Sequence, residues 1–343
     1  MTPYLLSLLA DPLTGERFNV VEPLLDQHGN FFEGKLRGVE TGSEYPIING
    51  IPRFISGDLF ASAEAFGDEW NYFNFVQFKE NWLKHTVFST WGGVDVFKGK
   101  IIVDAGGGSG AQTKWFLEYG AKHVILLDLS GSLDDVAMRN MVGCDPRRYD
   151  FIQCSIDSPP LAKNSVPGIV YCHNVIQHTP SVEKTADALY GLLAAGGELV
   201  FNCYGKNTKG LFRFLRWYLC YLPVREVLRR SPFWLRLLYS RMISFLRQIP
   251  ILGILLEKAM IVFQGDIPVI PGETHWSRLK RSYRCSVLNT FDMFGGHHYQ
   301  WHKTNREIIN ILDSFDPRPS RVENFDAYFS KTSPPGCALR VFR

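Results

Sequence analysis

The sequence predicts an α/β chain built on a doubly wound, mostly parallel sheet. A small β module precedes the sheet and a helical insertion follows its fifth strand. Three observations carry this reading. Residues 99–204 alternate strand-like and helix-like segments, the pattern of parallel strands joined by crossover helices. Residues 1–58 break short apolar runs with Gly, Pro and Asn, ending in YPIINGIPRFI, which reads as a compact β module. Residues 205–285 interrupt the alternation with basic and aromatic residues at helical spacing. The tail, 286–343, returns to a helix near 303–314 and to two strand-like runs that complete the sheet with 59–204.

The strands of the central block are readable one by one. KIIVDA is an apolar, β-branched run that stops at Gly106-Gly107-Gly108-Ser109-Gly110. HVILLDL, YDFIQCSI, GIVYCHN and ELVFNCY follow, separated by helix-like stretches. In such a sheet the ligand lies at the carboxyl ends of the strands. A strand that ends in Asp104 and enters a glycine-rich turn lets backbone approach a ligand closely. The second strand ends in Asp128, placed to accept hydrogen bonds from ribose hydroxyls. The third ends at Ile156-Asp157, where an acid faces an adenine amino group. Any one of these acids alone reads as a solvated loop residue; the conjunction points to a nucleoside-like cofactor.

The whole composition sets limits. With 343 residues, 45% of them hydrophobic, the chain can bury one full-size core plus extra modules. A net charge of +3 is too small to imply nucleic acid. The seven cysteines are scattered, with no C-x-x-C pair, which excludes a cysteine framework and suits a reducing cytosol. No basic n-region opens the chain and no apolar run approaches ~20 residues, so a soluble, cytoplasmic protein is expected.

VDAGGGSG resembles motif I of the class I S-adenosylmethionine-dependent methyltransferases, a strand followed by D-x-G-x-G-x-G. LLDLS, CSIDSPPLAKNSVPGIVYCHNVIQHTP and LLAAGGELVFNCY are similar to that family's following segments, of the type 11-like kind. The resemblance implies a Rossmann-like, seven-stranded methyltransferase sheet and S-adenosyl-L-methionine as cofactor. It places Gly106, Gly108 and Gly110 along the cofactor, Asp104 near its amino group, Asp128 on the ribose, Ile156 and Asp157 on the adenine, and His173 beside them. One departure is Pro167-Gly168, where the family usually opens its fourth strand with an acid. A dinucleotide fits less well, because Asp104 beside a pyrophosphate would be repulsive, whereas beside the cationic end of S-adenosylmethionine it is favourable.

Residues 5–55 resemble the small zinc ribbons fused to some methyltransferases, with YPIINGIP kept in kind. The four metal positions hold Asp11, Thr14, Gly38 and Thr41, so a metal-free derivative is expected. FGDEWNYF at 66–73 is similar to a helix that closes over the cofactor, with Trp70 and Tyr72 as stacking candidates.

Between 205 and 250, ten Lys and Arg face Glu226 alone, a local net charge of +9. Such a segment suits a substrate lid, an interfacial membrane helix or an anionic-partner surface. No recognised nucleic-acid module accompanies it. The candidates for a general base are His178 after the fourth strand and His297, His298 and Tyr299 in FGGHHYQWH. No metal is expected; His297, His298 and His302 could supply ligands, but adjacent histidines on a loop are a weak signal for a site. The expected activity is methyl transfer to oxygen or nitrogen of a small-molecule or lipid-linked acceptor. A non-catalytic cofactor-binding scaffold and a membrane-surface protein acting through 205–285 are the other readings.

Overall fold

The computed structural model describes residues 1–55, 67, 70–206, 210–265, 267, 269–295, 297–324 and 337–343. Three of the eight residues of the FGDEWNYF motif and part of RVENFDAYF therefore lie outside the described residues. The strands are β1 Phe18–Leu25, β2 Phe31–Gly38, β3 Glu44–Ile48, β4 Ile51–Phe54, β5 Ile101–Ala105, β6 His123–Asp128, β7 Tyr149–Cys154, β8 Ile169–Cys172, β9 Glu198–Cys203, β10 Arg321–Asn324 and β11 Cys337–Phe342. They form one eleven-stranded sheet in the order β1-β2-β3-β4-β7-β6-β5-β8-β9-β11-β10. The order reverses at β5, which puts a crevice at its carboxyl end.

Strands β5 to β9 pair in parallel, and their residues alternate between two buried cores, as a period of two requires. Val103, Ile125, Ile152, Val170 and Leu199 face one core. Ile102, Val124, Phe151, Ile169 and Val200 face the other, with Trp82, Phe97, Trp115 and Phe116 packed over them. The departure at Gly168 has a steric cause. A Cβ there would lie 2.0 Å from the Ile101 carbonyl oxygen, so the opening of β8 has room only for glycine.

The sheet exceeds the expected seven strands because the N-terminal module continues it. Strands β1 to β4 form an antiparallel meander, and β4 then pairs in parallel with β7, Arg53 opposite Gln153 and Phe54 opposite Cys154. Arg53 seals the join, donating to Gln153 Oε1 at 2.9 Å and to Asp134 Oδ1 at 2.5 Å. Two carboxylates organise the module's turns. Asp11 accepts from the amides of Leu13 and Thr14 and from the hydroxyls of Ser43 and Tyr45. Glu16 accepts from the Thr41 amide at 3.0 Å and from the Thr41 hydroxyl. A Cβ on Gly38 would meet the Glu16 carboxylate at 2.6 Å, so glycine makes the room for that carboxylate.

Between β9 and the helix His275–Met293 the chain is helical over Leu211–Leu215, Arg216–Tyr221, Leu222–Arg229, Phe233–Leu246 and Pro250–Lys258. Trp217, Tyr221, Leu228, Met260, Phe263, Met293 and Phe294 form a core of their own beneath these helices. No helix among the described residues is long and apolar enough to cross a membrane.

Candidate functional site

At the crevice the chain leaves β5 through Gly106 at φ 82°, Gly108 at φ 49° and Gly110 at φ 71°, left-handed values that L side chains rarely adopt. A Cβ would lie 2.3 Å from Val175 at Gly106 and 2.8 Å from the Trp70 indole at Gly108. The loop is held by carboxylates from behind and from the side. Asp128 Oδ2 accepts from the Gly108 amide at 2.8 Å, while its Oδ1 accepts from the Ser130 amide at 2.8 Å and hydroxyl at 2.6 Å. Asp104 Oδ2 accepts from the Thr113 hydroxyl at 2.7 Å. Burial pushes the Asp104 carboxyl up to about 7, with the Thr113 hydrogen bond pulling the other way. Burial also raises Asp128.

A cavity with about 1270 Å³ of unfilled space, mouth included, opens over this loop. Gly106, Asp128, Ile156 and His173 line it, together with Trp70 and Phe75. Asp104, Gly108, Gly110 and Asp157 are not on its wall. Asp104 is 1% exposed, behind the glycine turn that it supports, and Gly108 lies under Trp70. Gly110 starts the helix Ala111–Glu118 against Ala137. Tyr72 is also off the wall, packed against Phe73 and Phe233.

The cavity's other end is polar and comes from distant segments. His178 follows β8; Asp292 ends the helix His275–Met293; His297 and Tyr299 come from the loop after it. His178 Nδ1 donates to the Tyr299 carbonyl at 3.1 Å, which makes Nε2 the lone-pair nitrogen of the neutral ring. That Nε2 lies 3.7 Å from Asp292 Oδ1, and His297 Nε2 lies 3.4 Å from the same oxygen. The Tyr204 hydroxyl donates to Asp292 Oδ2. Burial, helped by His297, pushes His178 down to about 3, so the ring is neutral at physiological pH. A Cβ on Gly295 would meet His297 Nε2 at 2.7 Å, so the glycine lets the imidazole fold back.

The structure thus brings His178, His297 and Tyr299 together and leaves out His298, which is exposed with its ring against Tyr299. His302 is half-buried against Trp217, Tyr221 and Tyr204, where desolvation and Arg225 push it down to about 3. Sequence reasoning missed Asp292, Tyr204 and Asn174. Asp292 stands five residues before His297, a weak signal that only the helix end turns into a contact. Asn174, at φ 58°, donates its amide to Asn202 Oδ1 at 2.7 Å and fixes the turn after β8.

The family model described as a methyltransferase domain matches residues 103–201. No curated protein sequence matches the chain. Among solved structures, the chain is similar to the pyocyanin biosynthetic protein PhzM, at 16% identity over 83% of this chain and 63% of that one, TM-score 0.42. It is also similar to an S-adenosylmethionine-dependent methyltransferase from Mesorhizobium loti, at 16% identity over 74% and 98%, TM-score 0.40. A chain from the complex of the Haloferax volcanii Trm112 methyltransferase activator with its methyltransferase matches at 18% identity over 42% of this chain, TM-score 0.33, and only 62% of its length is spanned. At these scores the likenesses add nothing to the site's own chemistry. The matched residues, 103–201, are the ones that supply the glycine turn, Asp128, Ile156 and His178, so the likeness to a methyltransferase domain falls on the walls of the cavity.

Proposed function

We propose that the whole chain transfers the methyl group of S-adenosylmethionine to an oxygen or nitrogen of a small-molecule or lipid-linked acceptor. One observation carries this reading: a single cavity runs from the glycine turn and Asp128 to the cluster of His178, Asp292 and His297. Asp128 takes the ribose hydroxyls, Ile156 and the β7 turn flank the adenine, and Asp104 supports the methionine end from beneath the loop. Transfer from a sulfonium is an in-line displacement, so a cavity that aligns donor and acceptor supplies much of the rate. His178 and His297 are the residues that meet the acceptor's hydroxyl or amine, and the Tyr299 carbonyl orients His178. His298 is set aside by its exposure.

The N-terminal module is read as a ribbon that has exchanged its metal for the Asp11 and Glu16 hydrogen bonds. The segment 205–285 is read as a lid over the acceptor, and a specific observation extends it to peripheral membrane contact. Its helices expose Phe212 at 66%, Trp234 at 64% and Ile251 at 77%, and on Phe233–Leu246 the exposed Trp234, Leu238, Met242 and Phe245 follow helical spacing. With Arg213, Arg230, Arg241 and Lys258 also exposed, such a face suits an anionic lipid surface and an acceptor held there.

The test pairs two measurements on the full chain: calorimetry with S-adenosylmethionine, and a screen of acceptor compounds with labelled methyl donor, with and without anionic vesicles. Binding plus transfer to a hydroxyl or amino compound supports the proposal. Absence of cofactor binding would defeat it.

A further inference from the structure

The polar end of the cavity holds a constellation that methyl transfer alone does not require. His178 Nε2, Asp292 Oδ1 and His297 Nε2 converge, with the ligating atoms of the three residues all within 4.8 Å of one another. Two of the separations, 3.4 Å and 3.7 Å, both measured to Asp292 Oδ1, are close to a coordination edge. Around a cation with ~2.1 Å bonds, the edge of a tetrahedron is about 3.4 Å.

The electronic arrangement points the same way. Because His178 Nδ1 donates to the Tyr299 carbonyl, the ring turns a lone pair toward a carboxylate oxygen. Two electron-rich atoms facing each other are stabilised by a positive charge between them. The supporting contacts are those that metal ligands use. A backbone carbonyl fixes the tautomer of one histidine, and a tyrosine hydroxyl holds the carboxylate's second oxygen. Two imidazoles and one carboxylate suit zinc or another late divalent transition ion, and the open cavity leaves a position for an acceptor oxygen.

We propose that His178, Asp292 and His297 form a binding site for a divalent transition-metal ion at the acceptor end of the cavity. This departs from the expectation of a metal-free chain. It also differs from the set suggested by spacing, because His298 is exposed and His302 packs into a different cluster, against Trp217. The inference deepens the proposed function and rests on it for the ion's role. There the ion would hold the acceptor's oxygen, and the two histidines would act as ligands rather than as proton acceptors.

The experiment uses tag-free, full-length protein dialysed free of metal and titrated with Co2+, followed by its visible absorption and by competition with Zn2+. Saturation at one ion per chain is expected, with His297→Ala and Asp292→Asn each weakening it at least ~10-fold and His298→Ala leaving it unchanged. His297→Gln serves as a second variant if His297→Ala does not fold, as judged by circular dichroism. No saturable signal in the wild type, or equal affinity in the folded variants, overturns the site. Calorimetry with S-adenosylmethionine on the same samples separates the two readings. Cofactor binding without the ion sinks only the metal site, whereas ion binding without cofactor sinks only the methyltransferase reading.

Discussion

Asp128 at the end of β6 accepts a hydrogen bond from the amide of Gly108 at 2.8 Å, twenty residues earlier in the chain. In the proposed function Asp128 takes the ribose hydroxyls, and the same carboxylate fixes the glycine turn, so its replacement should have two effects. Asp128→Ala removes charge-assisted hydrogen bonds worth ~1.5–3 kcal/mol, about a 10- to 150-fold loss of cofactor affinity. Calorimetry with the wild type and the variant checks this, and the variant should also melt at a lower temperature.

Gly106→Ala tests the turn itself. The new methyl group would meet Val175 at 2.3 Å with the backbone at φ 82°, so something must move. A loss of roughly 1–3 kcal/mol in denaturant unfolding is expected, together with weaker cofactor binding. Gly106→Ala with Val175→Ala should recover part of both, whereas no recovery would place the strain in the backbone alone.

At the acceptor end, His178→Ala and His297→Ala should each lower turnover by ~100- to 10,000-fold while cofactor affinity stays intact. His298→Ala, at an exposed position, should leave both unchanged. Normal turnover in the first two variants would remove the cluster from the reaction.

Acid should unfold the protein through imidazoles that the fold holds neutral. Burial holds His173 down to about 4 and His302 to about 3. Between pH 6.5 and about 4 both rings are neutral in the fold and charged in the unfolded chain, so the unfolded chain binds more protons. Stability should therefore fall as pH falls through that window, by up to about 3 kcal/mol per pH unit for the two together. Urea unfolding between pH 7.5 and 5 measures the slope. Replacing both histidines with glutamine should flatten it.

The parts of the site that were legible in the sequence are local ones. Asp104, the glycines and Asp128 lie at strand ends, where a run of β-branched residues meets a turn, and the pattern fixes their places to a residue or two. Of the pair Ile156 and Asp157, the turn after β7 brings Ile156, with Ser155, to the cavity wall and leaves Asp157 off it. Asp292 was out of reach because its meeting with His178 joins positions 114 apart through helices whose packing no periodicity encodes. For the same reason, nothing in a local window separates His297 from its neighbour His298; the fold-back over Gly295 does. The β-rich texture of residues 1–58 was legible, but not their pairing with β7, which matches Arg53 to Gln153 across a hundred residues.

That pairing has a bearing on how the chain stays dispersed. Without β4, the outer flank of β7 would present a row of unsatisfied amides and carbonyls beside the apolar residues of the main sheet, a template for another chain to add to. With the meander attached, the exposed rim moves out to β1, where the register breaks between Val21 and Leu24 and Glu22 stands at φ 52°. An irregular rim of this kind is a poor match for a straight incoming strand. The first fifty-five residues thus act as a selvedge, a finished border that keeps the sheet from growing by self-association.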